Sequence, residues 1–222
     1  MSKKGIFITL EGGDGTGKST QVKLLQEALS ASGIDVLTTR EPGGTPQAER
    51  IRDLLLQRDS GSFDPMTEAL LLFAARREHL VNKIWPALEK GQWVISDRFA
   101  DSTRAFQGYG MGLDIQVIDA LYQTVVGKFQ PDLTFIFDID SETGLQRSMA
   151  RMKNIQTSED RYERMGLPFH QRLRRGFLEI AKKFPDRCVV IDAAQDIQAI
   201  HRQVLKVVEQ RFGVPAKEVL HG

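Results

Sequence analysis

The sequence predicts an α/β protein built on a five-stranded parallel sheet flanked by helices, and three observations carry that expectation. Five short runs are apolar, β-branched or aromatic at almost every position, the pattern of strands covered on both faces. Longer segments of helical period separate them, as crossovers between parallel strands require. No fixed-period repeat and no Pro/Gly/Ser linker divides the 222 residues, so one domain is expected.

The expected strands are Gly5 to Leu10, Val36 to Thr39, Trp93 to Ser96, Leu133 to Asp138 and Cys188 to Ile191. After the first strand, Val22, Leu24, Leu25, Ala28 and Leu29 form a helical stripe over Gln21 to Leu29 that stops near Gly33. Further helices are expected at Ala48 to Leu56, Met66 to Glu89, Ile115 to Val126, Ser141 to Met152, Phe169 to Phe184 and Ile197 to Phe212. Asp64-Pro65 and Asp114-Ile115 look like helix starts, and Gly91 and Gly127 like stops. Met152 to Pro168 lacks apolar periodicity and reads as a mobile excursion. Arg147 to Arg175 holds eight basic residues and three acidic ones, a positive patch around it.

Composition narrows the class. Lys and Arg number 30 against 29 Asp and Glu, a formal net charge of +1, which argues against a nucleic-acid partner. Hydrophobic residues at 41% and charged ones at 27% are globular usage and exclude disorder, collagen and coiled coil. The stretch Ile6 to Leu10 is too short for a signal-peptide core. The longest uncharged apolar run, Ala69 to Ala75, is far below the roughly 18 residues of a spanning helix. A soluble, cytoplasmic protein without a membrane partner is expected. The single cysteine, Cys188, cannot form an internal disulfide and reads as a buried thiol. The four histidines, His79, His170, His201 and His221, lack metal-ligand spacing, and no Ser/His/Asp arrangement is legible.

The chemistry begins where the first strand ends. Gly12-Gly13-Asp14-Gly15-Thr16-Gly17-Lys18-Ser19 matches the phosphate-loop pattern G-x-x-x-x-G-K-[ST] at every fixed position and leads into a helix. Glycines let backbone N–H groups turn onto a phosphate, and the helix N-terminus adds partial positive charge. Lys18 is placed to neutralise β/γ oxygens, and the Ser19 hydroxyl to ligate Mg²⁺. With Thr20, the loop from Gly12 onward is the expected ATP site. Trp93 to Ser96 then ends in Asp97, which puts a carboxylate at the sheet's C-terminal edge as a Mg²⁺ or base candidate, with Arg98 beside it.

Taken in order, the motifs resemble bacterial thymidylate kinases, a branch of the P-loop nucleoside monophosphate kinases. They are Leu10 to Thr20, Thr39-Arg40-Glu41-Pro42-Gly43-Gly44-Thr45, Leu72 to His79, Asp97 to Ser102 with Phe106-Gln107-Gly108, Pro131 to Thr134 and Asp160 to Glu163. The resemblance implies a three-layer P-loop NTPase fold with a lid over about residues 147 to 164. It implies transfer of the γ-phosphoryl of ATP to dTMP with Mg²⁺, a step in dTTP synthesis, by a homodimer. Long apolar helices such as Met66 to Glu89 are interface candidates.

The same resemblance assigns a monophosphate site. Phe73 and Arg77, four apart on one helix face, would stack on the thymine and donate to its 4-keto oxygen. Thr103 and Gln107 would meet the base edge. Asp14 would accept from the 3′-hydroxyl, and Glu41-Pro42 would form a wall with Arg52 and Arg98 on the 5′-phosphate, where a planar fork binds oxygens bidentately. Lys18 is the only base in the phosphate loop, so a lid arginine is expected to complete the catalytic set, with Arg151 and Arg161 first. The spacing does not separate Arg147, Arg151 and Arg164, because Met152 to Glu159 departs from the family's compact lid. Two rivals stay open at this point: a kinase for another acceptor such as dUMP, and a nucleotide switch that binds ATP without a monophosphate-dependent reaction.

Overall fold

The computed structural model describes residues 4–56, 63–155 and 161–214. Five strands, β1 (Phe7–Gly12), β2 (Val36–Arg40), β3 (Trp93–Asp97), β4 (Leu133–Asp138) and β5 (Cys188–Asp192), form one parallel sheet in the order β2-β3-β1-β4-β5. β1 lies at its centre and is buried throughout. Its side chains alternate between layers as the pleat dictates. Ile8 and Leu10 pack with Leu25, Ala28 and Leu29 of α1 (Lys18–Ala31) and with Val204, Leu205 and Val208 of α9 (Ile197–Phe212). Phe7 turns the other way, into the cluster of Phe73, Leu80, Ile84, Phe99 and Ile118. Between them, the hydroxyls of Thr9 and Thr134 pair at 2.8 Å across β1 and β4, satisfying two buried polar groups.

β1 lies between β3 and β4, so the chain crosses from one half of the sheet to the other over it, and a crevice opens at the carboxyl ends there. That crevice holds the site.

Helical caps follow the sequence. Asp64 accepts from the Met66 amide at 2.9 Å to start α3 (Pro65–His79), and Asp114 from the Gln116 amide at 2.9 Å to start α6 (Ile115–Val125). The expected single helix from Met66 to Glu89 is continuous, but it passes through a π turn at Leu80–Ile84 before α4 (Trp85–Glu89). Pro86 explains the wider turn, since it carries no N–H for the ordinary i→i−4 bond.

A helical segment the periodicity did not suggest follows β3. α5 (Ala100–Thr103) runs into a second π turn, Arg104–Gly110. Gly108 and Gly110 obscured it in sequence; at Gly110 a Cβ would come 2.5 Å from the Phe169 ring of α8 (Leu167–Lys183). The segment is tied to the sheet by Asp101, which accepts from Arg187 at 2.6 Å and from Arg104 at 3.0 Å. Burial opposes the Asp101 charge, but these two guanidinium groups outweigh it and hold the carboxyl low.

β1 extends to Gly12, past the expected end at Leu10, because Glu11 is buried inside the sheet edge rather than facing water. It accepts from the Phe99 amide at 2.8 Å and the Ser102 hydroxyl at 2.6 Å. Burial, reinforced by Asp101, pushes its carboxyl up to about 8. Cys188 is buried as expected, and burial raises its thiol to about 12.

α2 (Pro46–Leu56) and α7 (Ser141–Ile155) complete the layers. Of the expected mobile excursion, the part at 156–160 lies outside the described residues. The part after it is anchored. Arg161 donates to the Leu55 carbonyl at 3.1 Å and pairs with Glu68, and Tyr162 stacks on Phe169 with ring centres 6.3 Å apart. Among the described residues no helix is long and apolar enough to cross a membrane. The C-terminal residues from 215 also lie outside the description.

Candidate active site

The phosphate loop bridges the end of β1 and the start of α1. Gly15 (φ 76°) and Gly17 (φ 85°) take left-handed conformations that a side chain would strain, and a Cβ on Gly15 would overlap the Gly144 carbonyl of α7. Gly17 caps α1, so the helix N-terminus opens directly on the loop. Thr20 follows in its first turn, exposed. Lys18 is buried, and its Nζ donates to the carbonyls of Gly13 (2.6 Å) and Gly12 (3.2 Å) and to the Thr16 hydroxyl (3.2 Å). Burial, with the Arg98 charge, brings its ammonium down to about 8 against the pull of Asp97, Asp14 and Glu11.

That value gives a testable proton balance. Phosphate oxygens beside Lys18 favour its charged form, so ATP binding at about pH 8.5 is expected to be accompanied by net proton uptake. The sign follows from the lowered pKa: free Lys18 loses its proton as pH rises through about 8, and bound polyanion restores it. Titration calorimetry in two buffers of different ionisation enthalpy reads the uptake directly. Heats independent of buffer would contradict it.

Ser19 and Asp97 meet as expected, with the Ser19 hydroxyl donating to the Asp97 carboxylate at 2.6 Å. A hydroxyl and a carboxylate are hard oxygen donors and fit Mg²⁺. Among the described residues no group of three or more His, Cys, Asp or Glu could hold a metal ion. A protein share of two oxygens suits an ion whose other ligands are phosphate and water.

Arg98 follows Asp97 with φ 72°, a left-handed conformation that is strained for an arginine. The turn sends its side chain back over the loop. Its Nη1 donates to the Gly12 carbonyl (2.9 Å) and the Ser102 hydroxyl (3.1 Å), and its Nη2 to Asp14 (2.6 Å). Burial works against the Asp14 charge, but Arg98, then Lys18, His170 and Arg151, hold the carboxyl below the ordinary range. The electrostatic conflict of an acid inside a phosphate loop is resolved chiefly by Arg98, with Lys18 and Arg151.

Beside the loop lies a cavity of about 180 Å³ whose walls include Asp14, Glu41, Pro42, Arg52, Arg98, Thr103, Gln107 and Arg151. A second cleft, lined by Lys18, Ser19 and Asp97, shares Asp14, Glu41, Arg52, Arg98 and Arg151 with it. Two spaces therefore meet at a junction carrying three arginines. Pro42 follows a cis peptide bond, and its carbonyl accepts from Arg52 at 3.0 Å.

Two expected base-site residues lie elsewhere. The Phe73 ring is 1% exposed and packed among Phe7, Leu80 and Phe99, not in the cavity wall. Arg77 is exposed on the far side of α3, donating to the Val125 carbonyl at 3.1 Å over the Trp85 ring. The face turned to the cavity is one residue earlier: Leu72 and Arg76. Arg76 is buried, with its Nε on Glu41 (2.8 Å) and its Nη2 on Thr103 (3.1 Å). Glu41 is completed by His79 at 3.0 Å, and His79 by Thr39 at 2.7 Å. The remaining Arg76 nitrogen, Nη1, and the Gln107 Oε1 are buried without a partner among the described residues, a donor and an acceptor left over in a cavity wall.

Of the lid arginines, Arg151 reaches the junction, whereas Arg161 does not. Arg161 is committed to Glu68 and Leu55, which corrects its expected place on the transferring group. Arg147 donates to the Ala193 carbonyl at 3.1 Å, and Arg164 is exposed. Tyr162 and Glu163 also line the cavity, in addition to the site residues expected from the sequence.

The family model for thymidylate kinase matches residues 10–204. A thymidylate kinase of Caulobacter vibrioides is 49% identical over 211 residues, covering 95% of this chain and 99% of that protein. One from Dinoroseobacter shibae is 50% identical over 192 residues, covering 86% and 90%. The crystal structure of thymidylate kinase from Ehrlichia chaffeensis superposes with a TM-score of 0.75 at 42% identity, covering 93% of this chain and 99% of that one. A phosphate loop opening onto a second, arginine-lined space, and likeness over nearly the whole length, lead to one conclusion: the chain belongs to the thymidylate kinase family.

Proposed function

We propose that the chain transfers the γ-phosphoryl group of ATP to dTMP, releasing dTDP and ADP. The observation that carries this is the shared wall of the two spaces: Lys18 and Ser19 belong to the nucleotide cleft, Leu72, Arg76 and Gln107 to the cavity, and Arg52, Arg98 and Arg151 to their junction. A phosphate oxygen of dTMP attacks the γ-phosphorus in line, the bond to the ADP oxygen breaks, and no proton need be removed from the nucleophile. Positioning and charge stabilisation supply the catalysis. Bound at Ser19 and Asp97, Mg²⁺ would neutralise phosphate oxygens. Lys18, Arg98 and Arg151 hold the remaining charge, and Arg52 steadies the acceptor phosphate.

The cavity's leftover donor and acceptor support thymine as the base. Arg76 Nη1 suits the 4-keto oxygen and Gln107 Oε1 the N3–H, whereas cytosine offers an amino group and a lone pair there. Leu72, Phe99 and Phe106 supply apolar surface for the ring. Asp14 receives the 3′-hydroxyl. Leu54, Leu70 and Val81, large apolar side chains left exposed on α2, α3 and the following π turn, support a homodimer formed through these helices. The single cysteine, which has no partner for an internal disulfide, suits a reducing, cytoplasmic setting. ADP release that depends on an added monophosphate, and on dTMP above all, tests this assignment.

A further inference from the structure

Gln107 lines the cavity, and Glu68, which holds its amide, is outside the cavity wall. Glu68 sits in the first turn of α3, fully buried, with Leu72 and Arg76 following at intervals of four on the same helix face. Its Oε2 accepts from Gln107 Nε2 at 3.0 Å and from the Tyr162 hydroxyl at 3.2 Å, while its Oε1 pairs with Arg161. The Gln107 Nε2 also lies 3.2 Å from the Tyr162 oxygen.

These contacts admit one proton arrangement. A carboxylate paired with a guanidinium accepts and does not donate, so the amide must turn its NH₂ toward Glu68. Tyr162 has one proton, given to Glu68, and its oxygen then accepts the second amide N–H. Both donors of Gln107 are consumed inside the wall, and Oε1 remains, buried and unpartnered. With the amide reversed, its oxygen would face the carboxylate and an N–H pair would stand where Oε1 now is.

We infer that Glu68 is a positioning residue that fixes Gln107 as an acceptor and thereby sets the preference for a base with a ring N–H beside a keto oxygen over one with a ring lone pair beside an amino group. The inference rests on the dTMP reading above. It assigns Glu68 a role in selectivity exercised wholly through Gln107, and it makes Arg161, the residue that pairs with Glu68, part of base recognition rather than of phosphoryl transfer.

The test compares kcat/KM for dTMP and 5-methyl-dCMP, which differ only along the N3–C4 edge, in the unaltered enzyme, Glu68→Gln, Gln107→Leu and the double variant. Glu68→Gln gives Gln107 a neighbour that both donates and accepts, so the dTMP preference is expected to fall about tenfold or more. In the Gln107→Leu background the same substitution is expected to leave the preference unchanged. Equal losses on both nucleotides, or an undiminished effect of Glu68→Gln without Gln107, would overturn the inference. Failure of the unaltered enzyme to phosphorylate dTMP strikes the functional reading itself and is seen before any variant is compared. Should Glu68→Gln not fold, hydrogen exchange of the Gln107 side-chain amide in the unaltered, nucleotide-free enzyme decides. Its NMR signals are assigned by their loss in Gln107→Leu. Slowed exchange is expected, and exchange at the rate of a free amide overturns the lock.

Discussion

Lys18→Ala is expected to lower kcat at least about a hundredfold while the protein stays folded, the size of effect seen when one donor to a developing charge is lost. The fold should tolerate the change for a physical reason. Lys18 is a buried cation whose ammonium is already destabilised by burial, so its removal relieves a desolvation cost. The Gly12 carbonyl it leaves behind still accepts from Arg98. Steady-state turnover and a thermal melt, measured together, check both halves. Turnover within a few-fold of the unaltered enzyme would remove Lys18 from the phosphoryl-transfer machinery.

Arg76→Lys is expected to raise KM for dTMP about tenfold or more, with kcat much less affected, whereas Arg77→Lys is expected to change neither beyond about twofold. Lysine keeps a cation against Glu41, whose burial would make outright loss of the charge cost about 3–5 kcal/mol. It lacks the planar fork that reaches Glu41 and Thr103 while leaving Nη1 over. Arg77 meets only a helix-end carbonyl and the Trp85 face. Phe73→Leu belongs to the same comparison, since its ring is core: it should lower the melting temperature and spare KM. A KM effect at Arg77 and none at Arg76 would restore the register read from the sequence.

That one-residue difference shows what a sequence discloses. The phosphate loop was legible because its chemistry is contiguous: strand, glycines, lysine and helix start follow one another within one turn of chain. β4 and α9 were delimited to the residue because their ends carry local signals, such as the Asp196 cap that accepts from the amides of Gln198 and Ala199. The base site depends instead on how α3 is rotated about its axis. Leu70, Leu71, Leu72 and Phe73 are apolar in succession, so periodicity alone cannot say which faces the cavity. Packing decides it: the large Phe73 ring fills space against Phe7 and Phe99, and the smaller Leu72 is left at the wall. The spacing Glu68, Leu72, Arg76 was a usable signal, three residues four apart with charges at both ends. The burial of Glu11 and Glu68 is not legible in the sequence, where a buried carboxylate looks like an exposed one. Arg161 counted toward a positive patch, yet its charge is spent on Glu68.

The most direct measurement is ADP release from ATP and Mg²⁺ as dTMP, dUMP, UMP, dCMP, dGMP and AMP are added one at a time. Stimulation by dTMP, well above dUMP and with little from the others, is the predicted result. It would place the leftover donor and acceptor of the cavity on a thymine edge. Strong stimulation by dCMP or AMP would contradict the base site while leaving the transfer machinery in place, and no stimulation by any monophosphate would contradict the central claim that the two connected spaces form a phosphoryl-transfer site.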